Sequence, residues 1–119
     1  MKKLLVLLTV IGVLAAAASS ASGSGAGSIV VSQVFAAGGN SGAPYTNDYV
    51  ELFNRGASAV PIAGWTLQYA TATGPVWAST ALSGSVPAGG HYLVQLASGG
   101  TNGSALPTAD ATGTSCLWR

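Results

Sequence analysis

Charge is scarce in this chain. Four Lys or Arg and three Asp or Glu stand among its 119 residues, and Lys2 and Lys3 lie at the very start. The rest, Arg55 and Arg119 against Asp48, Glu51 and Asp110, leaves a body that is slightly acidic and nearly neutral. Recognition of phosphates needs a clustered basic surface, so the composition excludes nucleic-acid binding by this chain alone. A polybasic hold on an anionic membrane is excluded on the same ground. Cysteine is scarcer still. The single Cys116 rules out an intrachain disulfide, and in oxidising surroundings it is a free thiol able to cross-link two chains. One histidine, His91, with one cysteine cannot supply the three or four ligands of a zinc site. No metal or other cofactor is expected.

Long apolar runs are confined to the beginning. Lys2 and Lys3 precede an uninterrupted apolar stretch from Leu4 to Ala18. Small residues follow, with Ser19 and Ala21 at the −3 and −1 positions of a leader-peptidase site. This is the pattern of a secretory signal peptide. The competing reading is a membrane anchor, but the run is shorter than the ~20 residues that cross a bilayer, and no basic stop-transfer cluster follows it. The expectation is a signal peptide over 1–21, no stable anchor after cleavage, and a secreted, extracellular or cell-surface location. Residues 22–28 hold only Ser, Gly and Ala and read as a flexible linker.

Helical periodicity is missing from everything that follows. Ile29-Val30-Val31-Ser32-Gln33-Val34-Phe35 is β-branched and partly alternating, which favours a strand. Residues 36–44 gather Gly, Asn, Ser and Pro into a loop. In Asp48-Tyr49-Val50-Glu51-Leu52-Phe53-Asn54 the period of two sets Val50 and Leu52 on one face and Tyr49, Glu51 and Phe53 on the other. Asn54-Arg55-Gly56 reads as a turn, and Val60-Pro61-Ile62 leads through Gly64 into Trp65-Thr66-Leu67-Gln68-Tyr69. A weaker segment covers 77–82, a turn 86–90, and an alternating strand 91–96. Residues 98–114 read as loop. About five strands result, an antiparallel sandwich or barrel by their spacing and their Gly and Pro punctuation. An immunoglobulin-type sandwich uses roughly seven. With fewer, a two-layer core leaves edges open and an inner face partly uncovered.

The chemistry-bearing residues are few. Asp48 and Glu51, three apart on a strand, point to opposite faces and cannot share a proton or a metal. Asp48 is expected to bond loop backbone, and Glu51 to face solvent or meet Arg55. His91 has no second His and no acidic neighbour in sequence, and nothing like Gly-x-Ser-x-Gly precedes a helix; it reads as a surface or turn residue. Residues 38–42 lack the Lys of a phosphate loop and open no helix. The Asn102-Gly103-Ser104 sequon is treated as coincidental. Among the aromatics, Trp77 and Tyr92 are candidates for a binding platform, and Tyr45 and Tyr49 are the favoured ones. Trp65 is assigned to the core, where burying it is worth about 2–3 kcal/mol. Asp48, Val50, Glu51, Leu52, Asn54, Gly64, Trp65 and Leu67 are therefore given a structural role. No residue is assigned to catalysis, cofactor or metal.

Taken in order, these segments over 29–114 resemble a lamin-tail domain of the bacterial, secreted kind. The likeness rests on the strand 29–35 and the loop Gly38-Gly39-Asn40-Ser41-Gly42-Ala43-Pro44-Tyr45. It continues through 47–56, 64–69 and Leu82-Ser83-Gly84, then Val86-Pro87-Ala88-Gly89-Gly90-His91-Tyr92-Leu93-Val94, and closes on 106–114. The resemblance implies an immunoglobulin-like antiparallel β-sandwich without a catalytic centre. It implies an accessory module, often set ahead of an endonuclease/exonuclease/phosphatase-type domain or another hydrolase. Beyond Thr114 the family pattern expects further strands, so residues 115–119 are set apart as a non-family tail, and the chain is expected to be a C-terminally truncated product.

The first expectation for function is thus a non-catalytic secreted interaction or accessory module with an unidentified protein or surface partner. The alternative is the N-terminal accessory piece of an extracellular nuclease. A small hydrolase in its own right is a third and weaker reading. Open strand edges are expected to drive non-specific self-association.

Overall fold

The computed structural model describes residues 25–70, 72–74 and 77–117. The signal peptide assigned to 1–21, part of the linker and the last two residues lie outside them. Within the linker, Gly25–Ser28 forms a short 3₁₀ turn that touches the first strand. The described residues then contain eight strands: β1 (Ile29–Phe35), β2 (Tyr49–Asn54), β3 (Val60–Pro61), β4 (Thr66–Tyr69), β5 (Ala78–Ala81), β6 (Ser85–Val86), β7 (His91–Gln95) and β8 (Ala111–Thr112). Longer strands fall where alternation is visible in the sequence. The two-residue strands β3, β6 and β8 fall where it is not.

One sheet runs β1-β2-β7-β8, and the pairs β3-β6 and β4-β5 form two smaller ones. All pairings are antiparallel except β7 with β8. Two stretches read as turn and loop are therefore corrected. Val86 pairs with Val60, and Ala111 and Thr112 pair with Val94 and Gln95. Pro61 is tolerated in β3 because that strand has a pairing partner on one side alone.

The alternation of β2 is realised as read. Val50 and Leu52 are buried, while Tyr49, Glu51 and Phe53 lie on the opposite face and keep part of their surface in solvent. Tyr92 and Val94 of β7 pair with Leu52 and Val50, so four neighbouring side chains form the inner face of the sheet. Against them pack Val60, Ile62, Leu82, Val86 and Leu96, with Leu67 and Trp65 at the margin. This is the β-sandwich architecture expected from the sequence. Burying each of the larger aliphatic side chains contributes about 1.5–3 kcal/mol. Trp65 is half-buried at the edge of the cluster rather than inside it, and Ile62, Val86 and Val94 are the fully buried centre. The turn from Ile62 to Trp65 is closed by Trp65 N donating to Ile62 O at 3.0 Å, and it needs the positive φ of 85° that Gly64 supplies.

Two buried polar residues hold the sandwich at its ends. Asn54, read as part of a turn, is the last residue of β2 and is completely buried. Its Nδ2 donates to Ser58 O at 2.8 Å and Val86 O at 3.0 Å, and its Oδ1 accepts from Gly56 N at 2.9 Å. At the other end of β2, Asp48 is 2% exposed. Its Oδ1 accepts from Gly38 N and its Oδ2 from Leu117 N, both at 2.8 Å. The expectation that Asp48 bonds loop backbone is met, and one of its donors belongs to the stretch set apart as a tail. That stretch is docked: Ser115 O accepts from Ala97 N at 3.1 Å, Cys116 Sγ lies 3.5 Å from Ser98 O, and Leu117 packs on the core. Gly113 sits so close to Thr80 and Leu96 that a Cβ there would collide with both, which brings the β4-β5 layer against the β8 edge.

Strand β1 carries an irregularity that sets its faces. Val31 pairs with Leu52, but Gln33 pairs with Glu51 and Val34 with Val50, so Ser32 is an extra residue, a β-bulge. Paired residues share a face. Val31 and Val34, three apart, therefore both lie on the inner face beside buried partners, and Ser32, Gln33 and Phe35 lie on the outer one. Yet Val31 is 56% exposed and Val34 is 61% exposed. Among the described residues, nothing covers the inner face at these two valines of β1.

Candidate functional site: the outer face of the main sheet

The outer face of β1, β2 and β7 gathers a cluster of aromatic and polar side chains. From β2 come Tyr49, Glu51 and Phe53, and their partners on β7 are Gln95, Leu93 and His91. The bulge brings Ser32 and Gln33 together opposite Glu51. Tyr45 enters from the preceding loop, which a bridge between Tyr45 and Ser104 ties to the 98–104 loop. Gly103 makes that approach feasible, having a positive φ of 94° and no room for a Cβ against the Tyr45 backbone.

Three rings form a cluster at one end of this face. Phe35 stacks on Tyr49 with centroids 5.5 Å apart, and Tyr45 meets both edge-on at 5.9 Å. Such offset and edge-on pairs contribute about 0.5–1.5 kcal/mol each beyond area burial. Tyr49 Oη donates to Gln33 Oε1 at 3.0 Å, which fixes its ring. Of the aromatic candidates, Tyr45 and Tyr49 are thus joined, and Phe35, whose sequence context marks it only as a strand residue, is the third member. Tyr92 is on the buried face, its hydroxyl donating to Ser83 O at 3.0 Å. Trp77 is 65% exposed and makes none of these ring contacts.

A polar patch lies beside the rings. Ser32 Oγ donates to Glu51 Oε1 at 2.6 Å and lies 3.1 Å from Glu51 O. His91 Nε2 stands 3.8 Å from Glu51 Oε1, and its ring lies over Phe53 with centroids 4.8 Å apart. The basic side chain beside Glu51 is therefore His91 and not Arg55, whose Nη2 instead donates to Gly27 O at 3.0 Å. Serine, carboxylate and imidazole meet here in an order that does not activate a nucleophile. In a hydrolytic triad the imidazole takes the serine proton and the carboxylate stands behind it; here the carboxylate stands in the middle and holds the serine proton itself. Among the described residues no group of three His, Cys, Asp or Glu is placed to hold a metal ion. Nor does any described helix have the length and apolarity to cross a membrane. Away from these residues, desolvation pushes the Tyr69 phenol up, helped by the nearness of Cys116 and Asp48.

The residues given a structural role divide between the two faces. Val50, Leu52 and Leu67 point inward, Trp65 closes the margin, Gly64 turns the chain, Asp48 and Asn54 lock the two ends of β2, and Glu51 alone belongs to the outer face. Neither the curated proteins nor the solved structures hold a significant match to the chain. The family model of the Lamin Tail Domain, however, matches residues 22–118. That span takes in every described strand and the docked segment 115–117, and so the chain belongs to the lamin tail domain family, a family of non-catalytic, immunoglobulin-like domains.

Proposed function

We propose that this chain is a secreted bacterial interaction module without catalytic activity, which engages a surface partner through the outer face of β1, β2 and β7. The observation that carries the reading is the Phe35, Tyr45 and Tyr49 cluster. Its rings are held by one another and by Gln33, on a hydrogen-bonded sheet, with Tyr45 37% exposed. Rigid rings beside exposed hydrogen-bonding groups lose little conformational entropy on contact. The scarcity of charge suits a neutral partner. The N-terminal leader pattern supports export, and the resemblance to secreted lamin-tail modules supports an accessory role beside a nuclease-type catalytic domain in a longer product.

The test is amide chemical-shift mapping of the protein against a panel of neutral soluble glycans and uncharged peptides. Binding should shift the amides of β1, β2 and β7 near Phe35, Tyr45 and Tyr49, and Tyr45→Ala should abolish the shifts while leaving the fold intact. Shifts confined to other surfaces, or binding unaltered by Tyr45→Ala, would overturn it. Turnover of DNA or phosphodiesters by the purified chain, with or without divalent metal, would overturn the non-catalytic part. The reading frame downstream of the gene tests the accessory role: a nuclease domain in continuation supports it, and an unrelated gene refutes it.

A further inference from the structure

Independently of the outer face, the uncovered inner face at β1 points to a second copy of this chain. Strand β1 is the last strand of its sheet on one side, so one rim of its backbone faces no other described strand. An open rim of this kind normally carries charge or proline to discourage pairing. Ile-Val-Val-Ser-Gln-Val-Phe has neither, and a copy brought against it meets no like charge.

The bulge makes this strand a partner for itself. In a regular strand the faces alternate, and residues an odd number apart lie on opposite faces. With Ser32 inserted, the faces read outer at Val30, inner at Val31, outer at Ser32 and Gln33, inner at Val34 and outer at Phe35. That order is the same in both directions about the point between Ser32 and Gln33. A two-fold axis through that point, perpendicular to the sheet, sets Val31 of one copy opposite Val34 of the other, and Val30 opposite Phe35. Every facing pair then shares a face, as antiparallel pairing requires. The two valines that each protomer leaves mostly in solvent, 56% and 61% exposed, close into one strip of four. The contact is isologous and closes at two copies, which distinguishes it from open-ended edge aggregation.

We propose that the chain forms a two-fold dimer by antiparallel pairing of β1 with β1, centred between Ser32 and Gln33. Sedimentation of the chain purified from a secreting host should show a monomer–dimer equilibrium that plateaus at the dimer. The dimer should persist under reductant, since Cys116 takes no part in it. Val34→Lys, at a position already exposed in the protomer, should keep the cooperative melt and raise the dimer dissociation constant at least about tenfold. In a Cys116→Ser background, Val31→Cys with Val34→Cys should give a reducible dimer on mild oxidation, because these positions are opposite one another between copies. A monomer at all concentrations, growth beyond the dimer without a plateau, a dimer indifferent to Val34→Lys, or no cross-link in the paired-cysteine variant would each overturn the proposal.

Discussion

Replacing Asp48 by alanine should cost the domain about 3–5 kcal/mol. The carboxylate is 2% exposed and accepts two backbone N–H bonds at 2.8 Å, from Gly38 and from Leu117. A hydrogen bond to a charged group contributes about 1.5–3 kcal/mol net, and a buried donor left without a partner costs about 1–3 kcal/mol. Gly38 is buried, so its amide carries the full penalty, whereas the Leu117 amide is half-buried and is partly rescued by water. Asp48→Asn retains one acceptor oxygen and turns an NH₂ toward the other donor, so its loss should be smaller, about 2–3 kcal/mol. For a domain of this size 1 kcal/mol corresponds to roughly 4–8 °C in Tm, so the alanine variant should melt about 12–40 °C below the parent. Urea denaturation gives the free energies, and amide exchange gives the local signature: protection should fall first at Gly38 and Leu117. A loss below about 1 kcal/mol, with protection at both amides retained, would refute the view that this carboxylate pins the end of β2.

Two further outcomes follow from the buried framework. Asn54→Ala strands Ser58 O, Val86 O and Gly56 N and should cost about 2–4 kcal/mol by equilibrium denaturation; an asparagine serving a mere surface turn would lose less than about 1 kcal/mol. Ile62→Ala, at the fully buried centre, should cost about 3–4 kcal/mol and exceed the loss from Trp65→Ala at the half-buried margin, with both variants still melting cooperatively.

The strand of alternating residues around Val50 and Leu52 is legible because one face meets the core and the other meets solvent, and the period of two records that directly. The local turn at Gly64 is legible for the same kind of reason, since a positive φ leaves few alternatives to glycine. What escapes the sequence is nonlocal. Nothing in Val-Ser-Gln-Val marks Ser32 as an extra residue, because a bulge is defined by the partner strand, and so the common face of Val31 and Val34 is invisible until β2 is in place. Asn54 looks like a turn residue because the group that buries it, Val86 O, lies 32 positions away. Strand β8 has two residues and pairs in parallel, too short for any period, and the docking of 115–117 depends on a carboxylate 69 positions earlier. Among the outer-face residues, Tyr45 and Tyr49 can be suspected from type alone. Phe35 joins them because the bulge turns it outward, and Glu51 meets His91 because β2 and β7 are neighbours.

The span between Asp48 and Leu117 has a consequence for the order of events as the chain is made. A ribosome delivers residues in sequence, and the loop-closing bridges of Gly39 to Asn102 and Tyr45 to Ser104 await segments synthesised long after β1 and β2. Of the two oxygens of the carboxylate at the end of β2, Oδ1 can meet Gly38 N as soon as both are made, but Oδ2 keeps water as its partner until residue 117 arrives, so the β1–β2 pair lacks half of its clasp until then. Contacts this distant in sequence form late and slowly. Ribosome-bound chains of graded length should therefore stay protease-sensitive until residue 117 has emerged, and early resistance at the length of β7 would show that the clasp is dispensable to folding. A nascent chain that remains open in this way is also one that can still be threaded.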